Sequence, residues 1–400
     1  MRFALLGFDP LILPLAEAIA RSPRHELVAT CDLGPQAERV QAIAPGARHA
    51  NHWEALLDGS DVDAVVVAGD GSSEVRADQL RKFLQVDMPL IVSHPQPVQS
   101  LVCYELEMIR EEHHGVLLPY LPGRWHPSIN RLCEPPASDL RQALGELEQI
   151  TLERAMAHRD KVATCKQFAR DVDLARALCG ELTRLSAMVP QGADDYDNLG
   201  VQLSSASGVL IRWCVGPVDR QAGAALCLHG TRGQVTLDMP EGGTWRRVVE
   251  IEGRRDEQVF DDWQPAETAL DRLEQAIAGS DLRPSWTDAC RAVELAETID
   301  RSIARGRTIE LRPEAYDDEE ANFRGTMAAV GCGLLLLTFF IGVLAALFAA
   351  FGVSLPGWPY FLVTLMVMFL LLQSLGLIIP KRSPKTPANM ANADAESKGT

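Results

Sequence analysis

Apolar and polar residues alternate along the chain in two different rhythms, and the change falls near residue 125. From the start, RFALLG (Arg2 to Gly7) is a short apolar run closed by glycine, and Pro10 to Arg21 follows with apolar positions spaced by three and four. Such a pattern predicts a strand, a tight turn and a helix. Glu26 to Asp32, Ala64 to Ala68, Pro89 to Val92 and Val116 to Leu118 are further buried-strand runs. Helical stretches separate them, near Arg76 to Gln85 and across Val98 to Glu112 among others. Strands that alternate with helices imply a parallel, doubly wound sheet, with any ligand at the carboxyl ends of its strands.

Beyond this point the runs shorten and crowd together. Glu146 to Glu153, Leu199 to Ser204, Gly208 to Cys214, Ala225 to His229, Gly233 to Asp238 and Trp245 to Ile251 predict a mostly antiparallel sheet. Helices over Phe168 to Cys179, Ala266 to Ala278 and Ser285 to Ala304 complete an α+β domain. The expected plan is a Rossmann-like domain over 1–125, an α+β domain over 126–312 and an acidic linker over 313–326.

The end of the chain has a different character. Met327 to Gly352 and Trp358 to Ile379 hold no charged residue, and each run is longer than the about 20 residues a bilayer core requires. Together they predict a transmembrane helical hairpin over 327–379. Arg324 stands before the first run, and Lys381, Arg382 and Lys385 follow the second. A positive-inside bias then places both ends, and the N-terminal module, on the cytoplasmic side of the membrane. The tail over 380–400 lacks the apolar content to fold.

Composition removes several alternatives. The formal net charge of minus 16, without a Lys/Arg-rich stripe before the hairpin, leaves no electrostatic footprint for nucleic acid. Nine scattered cysteines without a CxxC pair suit reduced thiols. His49 with His52, and His113 with His114, lack the neighbouring ligands a metal site needs, so no metal is expected.

Several segments, in order and at matching spacing, resemble the glucose-fructose oxidoreductase and inositol dehydrogenase (Gfo/Idh/MocA) family over residues 1–312. These are FALLGFDPLILPLAEAI, Cys31-Asp32, LIVSHPQPVQS, VLLPYLPGRWHPSINRL, DVDLARALCGE, LHGTRGQVTLD and SIARGRTIEL. The resemblance implies NAD or NADP as cofactor, a sugar or polyol as substrate, and a homodimer or larger homo-oligomer, with the second sheet as a dimer face. The motifs themselves depart from the family pattern. Of the three glycines that serve pyrophosphate, Gly7 is kept. Asp9 and Ile12 hold the other two places, where a carboxylate would repel phosphate and a β-branched side chain would push the helix from the sheet.

Asp32 could hold ribose hydroxyls or simply cap its loop. At the family's Glu-Lys-Pro strand end this chain has Ser93-His94-Pro95, with Pro95 suited to a cis peptide and His94 either an acid-base group or an inert substitution. Aligning the family's second-domain motif on Asp173 puts Lys166 and Arg170 where an acid and the catalytic histidine stand. Arginine exchanges no protons near neutrality. Arg170 is therefore expected either to bind an anion or to pair on the helix surface with Asp171 or Asp173.

Three losses at separate places imply a module released from catalysis, with a binding, sensing or scaffolding role and weak or absent cofactor affinity. The alternative is a divergent NAD(P)-dependent enzyme that recruits His94 and His126.

Overall fold

The computed structural model describes residues 1–57, 61–133, 139–190, 195–219, 221–281 and 283–311, with only Phe340 and Leu347 beyond them. Residues to Pro313 form one compact unit. The hairpin expected over 327–379 lies outside the described residues, as do the linker and the tail. Among the described residues, no helix is long and apolar enough to cross a membrane.

The N-terminal half runs β1 (Arg2–Leu6), α1 (Leu13–Arg21), β2 (Glu26–Cys31), α2 (Ala37–Ile43), β3 (Arg48–Ala50), β4 (Ala64–Val67), α3 (Ser73–Gln85), β5 (Leu90–Ser93), α4 (Ser100–His113) and β6 (Leu117–Tyr120). Its six strands are all parallel and lie in the order β3-β2-β1-β4-β5-β6. Helices on both faces explain why β4, β5 and β6 are buried at every position, and hence why they appear in sequence as unbroken apolar runs. The order reverses between β1 and β4, which opens a crevice outside their carboxyl ends.

Next come α5 (Pro122–Trp125), α6 (Pro127–Cys133), α7 (Asp139–Leu144), β7 (Leu147–Met156), α8 (Lys161–Cys179), β8 (Leu182–Met188), β9 (Gly200–Ser205), β10 (Leu210–Pro217), β11 (Gly223–Gly230) and β12 (Gly233–Pro240). The series closes with β13 (Trp245–Ile251), β14 (Arg254–Phe260), α9 (Pro265–Ile277), α10 (Trp286–Arg305) and β15 (Ile309–Glu310). Nine of these strands form one sheet, in the order β14-β13-β12-β11-β7-β10-β9-β8-β15. The β7–β10 pairing is parallel and the others are antiparallel. Both sheet types agree with the sequence expectation.

Two helices tie the halves together. Ala266, Ala269, Leu270 and Leu273 of α9 join the core that contains Phe3 and Leu15. α10 begins at a capping box between Ser285 and Asp288. Its Trp286 and Cys290 pack under the parallel sheet, while Leu295 and Ile299 pack under the antiparallel one.

One helix starts later than its apolar spacing predicts. α1 begins at Leu13, one turn after Pro10, and Ile12 is its N-cap, fully buried in the first core. The β-branched side chain is accommodated by shortening the helix, so it does not push the helix off the sheet. The described cysteines are all free thiols.

Candidate functional site

The crevice is walled by three loops of the parallel sheet and one helix of the other half. Gly7 ends β1 with a φ of +77°, and a Cβ there would stand 2.2 Å from Asp70 Oδ1, so only glycine fits. The Gly7 amide bonds Cys31 O at 2.9 Å. The Phe8 amide donates to Asp70 Oδ2 at 3.1 Å. Buried Arg76 holds Asp70 in place through a 3.0 Å contact from Nη2 to Oδ1 and a bond to the Asp70 carbonyl. Gln79 in turn accepts from Arg76 Nη1 at 2.9 Å.

Asp9 lies at the centre of this loop. Its Oδ1 accepts from the amides of Leu11 (2.8 Å) and Ile12 (3.3 Å), and its Oδ2 accepts from the Gly69 amide at 2.6 Å. An N-terminal helix turn attracts an anion through its free N–H groups and its dipole. Here the anion is supplied by the chain itself. Pro10 offers no N–H at all.

Asp32 follows β2 with a φ of +54° and is exposed, in the position from which an acid reaches ribose hydroxyls. His49 sits on β3 beside Thr30, and His113 faces Asp87. Among the described residues, no group of three or more such side chains is placed to hold a metal.

At the end of β5, the His94–Pro95 peptide is cis. The His94 ring is buried, and burial together with the Arg170 charge pushes its pKa down to about 3. Of the two readings of His94, a ring held neutral by burial favours the inert substitution. The His94 carbonyl accepts from Arg170 Nε at 2.7 Å. This bond corrects the expected pairing of Arg170 with its own helix. Asp171 is taken by Arg154 and Trp213, and Asp173 by Arg124, so Arg170 reaches across the crevice. Lys166, one turn earlier on α8, points the same way and meets Gly69 O at 3.4 Å.

Asp173 is wholly buried, and its pKa is pushed up to about 6 by loss of solvent. His126 is not available to the crevice. It stacks on Trp245 at 4.1 Å and meets Phe260 and Trp263 edge-on, and burial lowers its pKa to about 4.

These shifts contribute to the acid sensitivity of the fold. Unfolded, His94 and His126 bind protons below about 6.5, whereas folded they stay neutral to about 3 and about 4. Between roughly pH 6 and pH 4 unfolding therefore takes up about two protons at these histidines. Asp173 opposes this, because the folded protein holds its proton below about 6 and the unfolded chain releases it above about 3.9. Across these three groups the net uptake of about one proton weakens the fold by about 1.4 kcal/mol per pH unit on acidification, and His25, whose pKa burial also lowers, adds to it. Asp173→Asn should steepen the slope towards two protons. Urea midpoints across that range check both, and a flat profile in the wild type contradicts the assignment.

Part of this site was not anticipated from sequence. Asp70 and Arg76 close the loop, and Ser93 ends β5 beside Gly69 with Gln96 Nε2 bonded to its carbonyl; a Gly-Asp-Gly triplet directly after a strand (Gly69 to Gly71) was the available signal for the first.

No protein-family model matches the chain. Inositol 2-dehydrogenase of Rhizobium meliloti (strain 1021) is 24% identical, over 78% of this chain and 99% of that protein. The crystal structure of a myo-inositol dehydrogenase from Corynebacterium glutamicum superposes with a TM-score of 0.62 at 21% identity, covering 78% of this chain and 99% of that one. The chain shares the fold of these two dehydrogenases. A 3-ketoreductase from Actinomadura kijaniata, solved with NADP, has the same fold at a TM-score of 0.64 and 15% identity, covering 76% of this chain and 98% of that one. In this chain α8 supplies the crevice with Lys166 and Arg170, and the strand end after β5 supplies His94.

Proposed function

We propose that this chain is a membrane-anchored member of the Gfo/Idh/MocA-type oxidoreductase fold that binds a ligand in its crevice without transferring hydride, in a binding, sensing or scaffolding role. One observation carries the reading. The Leu11, Ile12 and Gly69 amides are already bonded to Asp9, and the Phe8 amide to Asp70. A pyrophosphate entering this loop would have to displace the Asp9 carboxylate from three amides and the Asp70 carboxylate, itself held by Arg76, from the fourth. The loop does not fit NAD or NADP. Proton transfer is equally unsupported, since His94 is a neutral buried ring and Arg170 keeps its proton. The apolar runs over 327–352 and 358–379 support the anchor, with the module on the cytoplasmic side. The face of the antiparallel sheet bearing Thr151, Glu153 and Arg212 supports a homodimer.

A second reading, an NAD(P)-dependent dehydrogenase acting on a sugar or polyol, is favoured by the inositol dehydrogenase relative and by exposed Asp32 at the end of β2. Titration of the detergent-purified full chain with NADH and NADPH, followed by nicotinamide fluorescence and calorimetry, separates the two. No saturable binding up to about millimolar cofactor is expected, whereas micromolar affinity would establish the second reading.

A further inference from the structure

Lys166 and Arg170 stand one turn apart on α8 and both face the crevice. Neither has a carboxylate within ion-pair distance among the described residues. Their partners across the crevice are the carbonyls of Gly69 and His94, and Gln167 Oε1 takes a weaker bond at 3.4 Å from Arg170 Nη1. Asp9, Asp171 and Glu241 act on Arg170 only through space. The first two are engaged elsewhere, Asp9 by three amides and Asp171 by Arg154. A guanidinium and an ammonium turned inward without a counter-ion carry a desolvation cost that a bound anion would offset.

A second observation points to a ligand at the same place. Ser93 Oγ, His94 Nε2 and Gln96 Oε1 are buried atoms with no hydrogen-bond partner, on side chains at most 5% exposed. Ser93 Oγ packs closely beside Gly69 at the wall of the crevice. A Cβ there would lie 3.4 Å from Ser93 Oγ, 3.1 Å from Asp9 Oδ2 and 3.2 Å from Pro95 O. Buried polar atoms are paired in native proteins, so these await hydroxyl-like groups.

We infer that the crevice binds a small polyhydroxy carboxylate, its acid group between Lys166 and Arg170 and its hydroxyls against the Ser93 to Gln96 segment at the end of β5. This rests on the non-catalytic reading above and names the ligand class of the same site. A neutral polyol would satisfy the hydroxyl and amide partners and leave both cations unpaired.

The test uses D-gluconate and D-glucitol, which share a carbon skeleton and differ at one end by a carboxylate. Calorimetry of the detergent-purified full chain at constant ionic strength is expected to show gluconate binding about tenfold or more tighter than glucitol. Arg170→Met and Lys166→Met should each remove most of that preference, and Arg170→Lys should restore part of it, with melting temperatures confirming that all three variants fold. Equal binding of the two compounds would overturn the inference, as would no saturable gluconate heat up to about 50 mM or an undiminished preference in the methionine variants. Nicotinamide binding is measured separately. Tight NADH binding with gluconate preference intact would sink the non-catalytic reading alone.

Discussion

Replacing Arg154 by methionine is expected to cost the folded protein about 3 to 5 kcal/mol, the range found when one partner of a buried ion pair is removed. Arg154 on β7 is 8% exposed and Asp171 on α8 is 1% exposed. Both guanidinium nitrogens of the fork contact the carboxylate, Nε to Oδ2 at 3.0 Å and Nη2 to Oδ1. Trp213 Nε1 adds a 2.9 Å bond to Oδ2, and Gln167 Nε2 adds one of 3.1 Å to Oδ1. Without the arginine, a carboxylate stays inside the protein with two neutral donors and no opposite charge in contact with it. The paired variant Arg154→Met with Asp171→Leu should recover all but about 1 to 3 kcal/mol, the remainder being the Trp213 N–H left without an acceptor. Urea unfolding of the two variants provides the comparison. A loss under about 1 kcal/mol in the single variant would mean that the pair is solvated and belongs with ordinary surface bridges. The consequence extends to the crevice, because this pair fixes the rotation of α8 about its axis. Asp171 turned into the sheet leaves Arg170, the preceding residue, turned towards His94.

Burial decides which of these features could be seen in the sequence. AVVV of β4 is apolar throughout because helices cover both faces of the parallel sheet, so a run of four residues suffices to predict a strand. β14 has the opposite composition, RRDEQVF. It is an edge strand whose charges suit solvent, and no hydrophobic period marks it. β8 begins directly after α8 and lay hidden behind the helix pattern. In the crevice, sequence supplied the residue types and left their partners open. The replacement of a histidine by Arg170 is visible at its position. Its bond to His94 O, 76 residues away along the chain, depends on how two sheets pack and follows from no spacing. Asp9 shows the same limit. A carboxylate in a phosphate loop suggests repulsion, but the three amides that hold it come from the loop itself and from Gly69, 60 residues on.

Asp9→Ala is accordingly expected to destabilise the protein by about 2 to 3 kcal/mol, more than an ordinary helix-cap loss, because the carboxylate serves two structures at once. Oδ1 satisfies the first turn of α1, where the Ile12 side chain makes no cap of its own, and Oδ2 fastens that turn to the end of β4 through Gly69. Asp9→Asn separates the two roles. An amide retains a single acceptor oxygen and presents N–H groups on the other side, so it can keep Leu11 and Ile12 or keep Gly69, with a loss about half as large. Thermal and urea unfolding of the wild type and both variants would measure this order. Equal stabilities for all three would show that the amides turn to water and that the carboxylate is incidental, which would also remove the main support for a loop closed to pyrophosphate. With the expected order, the loss in Asp9→Ala measures what an incoming phosphate must replace before it can bind. A cofactor would then have to supply that energy in addition to displacing Asp70 from the Phe8 amide, and this difference separates the present loop from one with glycine at the same position.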